Sequence, residues 1–252
     1  MSELIKTEIQ EHILIITITR SEKLNALTQK MYHQLNEAFD ELNQNPNVRV
    51  GLLHGEGDHF TAGNDLQDFL QAKNPEDLPH VVTFLQKLNH LDKPLVAALK
   101  GCAIGIGTTL LSFCDLVYAS KDAYFQLPFI NLGIIPEAGS TEIFPRLIGY
   151  RKAAEYMFLG EKFSAADALR YGLINAIIEE QDVVEFALQQ AKKLAEKSPE
   201  ALCTTKRLLR HTEKEIIDQA IERENHYLFK LLLSAYTKKN LQAFFANNLQ
   251  KN

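Results

Sequence analysis

The chain has 252 residues, 46% of them hydrophobic and 23% charged, with 27 basic against 32 acidic side chains and a net charge of −5. That balance fits a folded globular chain and excludes extended disorder. An acid excess also argues against general nucleic-acid binding, which depends on neutralising many phosphates. Three widely spaced cysteines, Cys102, Cys114 and Cys203, form no CxxC pair, so neither a zinc site nor a disulfide framework is expected. The N-terminal stretch has no apolar signal core. The longest nearly uncharged run, Gly101 to Cys114, falls short of the ~20 residues a membrane span needs. A soluble, cytoplasmic protein with no nucleic-acid, membrane or metal partner is the expectation.

Ile13 to Thr19 is β-branched and apolar and reads as a strand. Thr28 caps a helix whose apolar face is Met31, Leu35, Ala38 and Leu42, ending at Asn45-Pro46-Asn47. Val48 to His54 is a second strand, Leu78 to Leu91 a helix, and Leu95 to Leu99 a buried strand running into the glycine-rich turn Gly101 to Gly107. A buried helix follows over Thr108 to Phe113, then strands at Leu116 to Ala119 and Tyr124 to Gln126, then a loop from Leu132 to Ser140. Ser164 to Asp167 is a capping box, and Ser198-Pro199 places an N-cap before a first-turn proline. From Ile216 to Tyr236 one helix is expected, apolar nearly all round at Tyr227 to Leu233, which calls for cover from a neighbour or from the interior. Strands interleaved with helices, then helices alone, give an α/β class with a core over 1–197 and a helical region over 198–252.

One internal echo bears on function. VRVGLLHG is followed by a loop and AGNDL, and KPLVAALKG by a loop and GIGTTL. Each is a strand ending in glycine, a loop and a helix start, an arrangement that leaves backbone N–H groups free to meet a ligand oxygen. The pair Gly105 and Gly107 lacks the third glycine of a dinucleotide fingerprint, because position 110 is leucine, and no Walker lysine follows. Ser140 lacks the second glycine of a nucleophile elbow, and His54 and His59 have no partner at metal spacing. Glu137, in the mostly apolar NLGIIPEAGST, is different. Apolar surroundings destabilise the charged carboxylate and raise its pKa towards values useful for proton transfer.

Five segments in order resemble the enoyl-CoA hydratase/isomerase (crotonase) superfamily: RSEKLNALT, FTAGNDL, KPLVAALKGCAIGIGTTLLSFCDLVYAS, LPFINLGIIPEAGST and LGEKFSAADALRYGLI. The resemblance implies a crotonase-like spiral of repeated ββα units, a helical C-terminal region that trimerises, and an acyl-CoA ligand. It implies an oxyanion hole of two main-chain N–H groups, at Asn64 and Ile106. It further implies substrate contacts at Lys23, Leu24, Ala62, Gly63, Asp65, Leu66, Gly105 and Phe129, with Pro128, Phe129 and Ile106 walling the acyl pocket. No separate cofactor is implied, since coenzyme A is part of the substrate, and a homotrimer or hexamer is expected. Arg20, Lys23, Lys238 and Lys239 are the candidate cations for its phosphates.

The sequence departs from the hydratase pattern at both of its glutamates, where Thr109 and Phe129 stand. Glu137 instead resembles the single acid of the Δ3,Δ2-enoyl-CoA isomerases, whose reaction needs one proton shuttle. The expected function is therefore conversion of a 3-enoyl-CoA to a 2-enoyl-CoA through a dienolate in fatty acid β-oxidation, with Glu137, Asn64 and Ile106 as the catalytic set. The alternatives are another crotonase-family enzyme, either a hydratase or a ring or dienoyl-CoA isomerase, and a non-catalytic acyl-CoA-binding module.

Overall fold

A computed structural model describes residues 4–249; residues 1–3 and the terminal Gln-Lys-Asn, which belong to the two expected regions, lie outside the described residues. The branched run forms β2 (Ile13–Ile18), which pairs antiparallel with β1 (Ile5–Gln10) through a two-residue turn at Glu11 and His12. Both turn residues have positive φ, 49° and 67°, as the hairpin twist demands. β1 is an edge strand whose Lys6 to Ile9 are exposed. With so little of it buried, it carries no apolar alternation, which is why the sequence reading passes it over.

Thr28 accepts the Met31 N–H and opens α1 (Gln29–Gln44). β3 (Val50–Gly55), α2 (Leu66–Gln71), α3 (Pro79–Asn89) and β4 (Leu95–Leu99) follow. β5 (Cys102–Ile104) leads into α4 (Ile106–Thr109), a short helix continued by a 3₁₀ turn over Leu110–Phe113, so helical structure begins two residues before the expected Thr108. Next come β6 (Leu116–Ser120), β7 (Tyr124–Gln126), α5 (Phe129–Leu132), α6 (Ser140–Ile148) and α7 (Tyr150–Leu159). β8 (Lys162–Ser164), α8 (Ala165–Arg170), which begins with the expected capping box, β9 (Ala176–Ile178) and α9 (Val183–Ala195) complete the α/β part. The strands order as β1-β2-β3-β4-β6-β9, all pairs parallel beyond β2, and as a smaller sheet β5-β7-β8.

Burial on both faces explains why the parallel strands read as continuous apolar runs. On one face Ile16, Leu53, Leu95, Ala97 and Leu99 meet α1 and α3; on the other Ile13, Val50, Leu52, Val96 and Ala98 meet Ala187, Ala191 and Ala195 of α9. A unit of long strand, short strand and helix recurs as β4-β5-α4 and β6-β7-α5. Earlier in the chain the short strand shrinks to single bridges, Leu27 to Asn64 and Thr61 to Ala103. Each bridge joins one unit to the next, which makes the repeat a spiral.

The C-terminal residues form α10 (Pro199–Arg210), α11 (Lys214–Leu232) and α12 (Ala235–Leu249). The single helix expected over Ile216 to Tyr236 is two, because the Ser234 Oγ accepts the Thr237 N–H (3.2 Å) and starts a new one. The break separates the two parts of the apolar run: α11 packs on α3 and α6, α12 on α2 and α5. Ile217, Ile221, Leu228, Leu232 and Leu241 join the same apolar cluster as the sheet. Among the described residues no helix is long and apolar enough to cross a membrane.

Candidate active site

Two loops built on the repeated unit lie side by side. The Thr61 N–H donates to the Cys102 carbonyl and the Ile104 N–H to the Thr61 carbonyl, both at 3.0 Å. The contact needs glycine twice. A Cβ at Gly63, where φ is +88°, would stand 2.5 Å from the Ile104 carbonyl oxygen, and one at Gly107 would stand 2.7 Å from the Thr61 methyl. The N–H groups of Asn64 and Ile106 follow Gly63 and Gly105, and neither donates to another group of the described residues. The Ile106 N–H is free because it opens α4, whose first N–H groups have no partner within the helix.

The peptide around Asn64 is fixed from several sides. The Leu27 N–H donates to the Gly63 carbonyl and the Asp65 N–H to the Leu27 carbonyl, each at 2.8 Å. The fully buried Tyr32 of α1 donates its hydroxyl to Asn64 Oδ1 at 2.6 Å. Arg20 donates to Asp65 Oδ2 (2.7 Å) and to the Ala26 carbonyl (2.8 Å), and Asp65 Oδ1 caps α2 by accepting the Gln67 N–H (2.9 Å). Asp65, expected as a substrate contact, therefore spends both oxygens inside the chain and holds the loop. Arg20, expected as a phosphate partner, commits its Nη1 to these two bonds.

A cleft of about 740 Å³ opens at these amides. Its wall includes Leu24, Ala62, Gly63, Asn64, Leu66, Gly105 and Phe129, as the resemblance implies, with Phe69, Ile134 and, from α12, Tyr236, Asn240 and Phe244. The polar side chains of this wall, Asn64, Gln126, Asn131, Tyr236 and Asn240, are all uncharged. A second cleft of about 610 Å³ shares Leu24, Ala62, Asn64, Leu66 and Phe244 with the first and adds Arg20, Glu22, Lys23 and Asp65. The two are one groove with an apolar chamber and a charged one. Ile106 does not wall it: its side chain is fully buried in the core and only its main chain serves the turn. Lys238 is also diverted, donating to the carbonyls of Phe69, Leu70 and Ala72 at 2.9, 2.9 and 2.6 Å.

Glu137 lies on the loop between α5 and α6, 3% exposed, and is not among the residues that line either cleft. Its Oε1 accepts the Thr109 hydroxyl at 2.7 Å, and its buried Oε2 has no partner. Burial pushes its pKa up to about 8; the Thr109 hydrogen bond opposes the shift and the negative charge of Glu224 adds to it. Thr109 occupies a position where the hydratase pattern has a glutamate, so the fold brings a carboxyl to that residue from a different loop. Ile106 and Thr109 are the two ends of α4, which links the free N–H to the acid through one turn of helix.

Sequence reasoning passes over Tyr32, Glu224 and the α12 residues of the wall. Tyr32 had a signal, since a tyrosine beside a core position needs a partner for its hydroxyl. Glu224 had none, because it sits among polar residues of α11. Among the described residues no group of three or more His, Cys, Asp or Glu could hold a metal ion.

Residues 8–250 match the enoyl-CoA hydratase/isomerase family. The fold resembles that of Pseudomonas aeruginosa OdaA, with a TM-score of 0.91 and 40% identity, over 96% of this chain and 99% of that one. The 2,3-dehydroadipyl-CoA hydratase of Escherichia coli is 34% identical over 92% of this chain and 91% of its own length. Enoyl-CoA delta isomerase 2 of Rattus norvegicus is also 34% identical, over 83% of this chain and 55% of that longer protein. A hydratase and an isomerase at equal identity leave the reaction to be argued from the site. The ordered motifs, the spiral of units and these relatives agree, and the chain belongs to the enoyl-CoA hydratase/isomerase family, enzymes of the crotonase fold that act on acyl-CoA thioesters.

Proposed function

We propose that the protein is a Δ3,Δ2-enoyl-CoA isomerase of fatty acid β-oxidation. The observation that carries this reading is the buried carboxyl of Glu137, hydrogen-bonded to the threonine that stands in place of a hydratase glutamate. The thioester oxygen of a 3-enoyl-CoA accepts the N–H groups of Asn64 and Ile106. The C2 proton passes to Glu137, the electron pair delocalises over a dienolate whose oxygen the two N–H groups hold, and the same proton returns at C4. No net proton, electron or water is consumed, so one carboxyl suffices. Each amide aimed at the developing oxyanion contributes about 2.7–4 kcal/mol. Hydration would need a second group to activate water, and Phe129 supplies none.

The apolar chamber suits the acyl chain, and the charged one, with Lys23 at its rim, suits the coenzyme A phosphates, so coenzyme A enters as part of the substrate. Apolar side chains left exposed on α7 and α10 offer surface for association between copies, which this reading takes as a homotrimer or a hexamer of paired trimers. The reaction is tested by supplying 3-hexenoyl-CoA and, separately, 2-butenoyl-CoA, and following the absorbance of the conjugated thioester. It should rise with the first and stay constant with the second; loss of absorbance from 2-butenoyl-CoA without isomerisation of the other would replace this reading with hydration.

A further inference from the structure

Glu224 is a buried acid that the reaction does not consume, 2% exposed on α11. Its Oε2 accepts the Gly139 N–H at 2.7 Å, and its Oε1 accepts the Thr141 N–H at 2.9 Å and the Thr141 hydroxyl at 2.5 Å. These donors lie two and four residues beyond Glu137, where α6 begins. α6 has no cap of its own, since its N-cap is Gly139, so α11 supplies the acceptor from outside. The segment it grips is strained. Ala138 is fully buried with φ +63° and Gly139 follows with φ +66°. A left-handed alanine is sterically disfavoured and persists only where its surroundings impose it.

Three donors converging on one carboxylate supply that hold. The location is costly, because burial raises the pKa of Glu224 against the pull of those hydrogen bonds, and a second negative group now faces Glu137. The groups facing Glu137 are the Thr109 hydroxyl from α4, the Tyr32 hydroxyl from α1 and Glu224 from α11. Arg223, beside Glu224, is paired with Glu142 at 3.1 Å.

We propose that Glu224 is a positioning residue for Glu137: its carboxylate holds the Ala138-Gly139 turn in its left-handed form and thereby keeps the Glu137 carboxyl on Thr109 with its second oxygen free. The proposal rests on the isomerase reading of Glu137. It acts in two ways, through the geometry of the loop and through a like charge that makes Glu137 harder to ionise and a stronger base once ionised.

The test compares pH profiles of kcat/KM for 3-hexenoyl-CoA in the wild type, Glu224→Gln, Glu224→Asp and Glu137→Gln. In the wild type activity rises with pH as Glu137 ionises. Glu224→Gln removes the like charge, so the rising limb should move to lower pH, and kcat should fall about 10- to 100-fold as the loop loosens. A fall in kcat with an unmoved limb would reduce Glu224 to a helix cap and overturn the proposal, as would a profile identical to wild type. If Glu224→Gln does not fold, Glu224→Asp decides. With the charge kept and the reach shortened, kcat should drop several-fold with the limb in place, whereas full kcat would overturn the proposal. Full turnover in Glu137→Gln would instead sink the isomerase reading itself, so the two failures are separable.

Discussion

Glu137 has one oxygen on a threonine hydroxyl and the other on nothing, and that arrangement has a thermodynamic consequence besides its chemical one. Its folded pKa of about 8 stands above the ordinary 4.5. Between those values the unfolded chain has released a proton that the folded chain still holds. Stability is therefore full below about pH 4.5, falls as pH rises through the window, and levels off above about pH 8. The loss is on the order of a few kcal/mol. Glu137→Gln abolishes this titration, so calorimetry should find its Tm about 3–8 °C above wild type at pH 8.5 and nearly equal at pH 5. A Tm difference independent of pH would mean that the carboxyl is not buried as described. Glu137 was legible in the sequence because proline, glycine and apolar residues surround it. Tyr32 and Glu224 were not, because their burial is created by α1 meeting the Asn64 loop and α11 meeting the α6 start, contacts that no local pattern records.

At the scale of elements, the groove is closed by two helices from opposite ends of the chain. α2 contributes Leu66 and Phe69 and α12 contributes Tyr236, Asn240 and Phe244. Lys238 ties them, satisfying three carbonyls at the end of α2. Leaving such carbonyls without a partner costs about 1–3 kcal/mol, enough to let α12 open. Lys238→Met should raise KM for the acyl-CoA about fivefold, leave kcat within twofold, and speed amide exchange in α12; unchanged KM and exchange would contradict the tie. The strands and most helices were readable from periodicity and caps. The exceptions are instructive: β1 is too exposed to alternate, and the split between α11 and α12 depends on one serine capping a new helix inside an apolar run.

At the scale of the molecule, charge is distributed rather than excluded. A net charge of −5 coexists with a groove whose inner chamber has an uncharged wall and whose outer chamber is charged, a division that suits an acyl chain joined to a phosphate-bearing carrier. Of the four cations suggested by sequence, Arg20 and Lys238 brace the groove, and Lys23 lies at its rim. The spiral was readable only in part: the echo between two glycine-ended strands was visible, while the single bridges that join the turns are tertiary. Leu208 and Leu209 of α10 remain 70% and 77% exposed. For the homotrimer or hexamer proposed above, sedimentation equilibrium should give three times, or six times, the 28.5 kDa chain mass, and Leu209→Glu should shift it towards the monomer if α10 lies in that interface; a monomeric wild type would contradict the proposed assembly.

In the proposed isomerisation one carboxyl, Glu137, carries the proton. Its most direct test is turnover of 3-hexenoyl-CoA by Glu137→Gln beside wild type, with CoA-ester binding measured on the same samples. A loss of kcat of about 10²- to 10⁴-fold with binding retained is expected; undiminished turnover would contradict the role of Glu137.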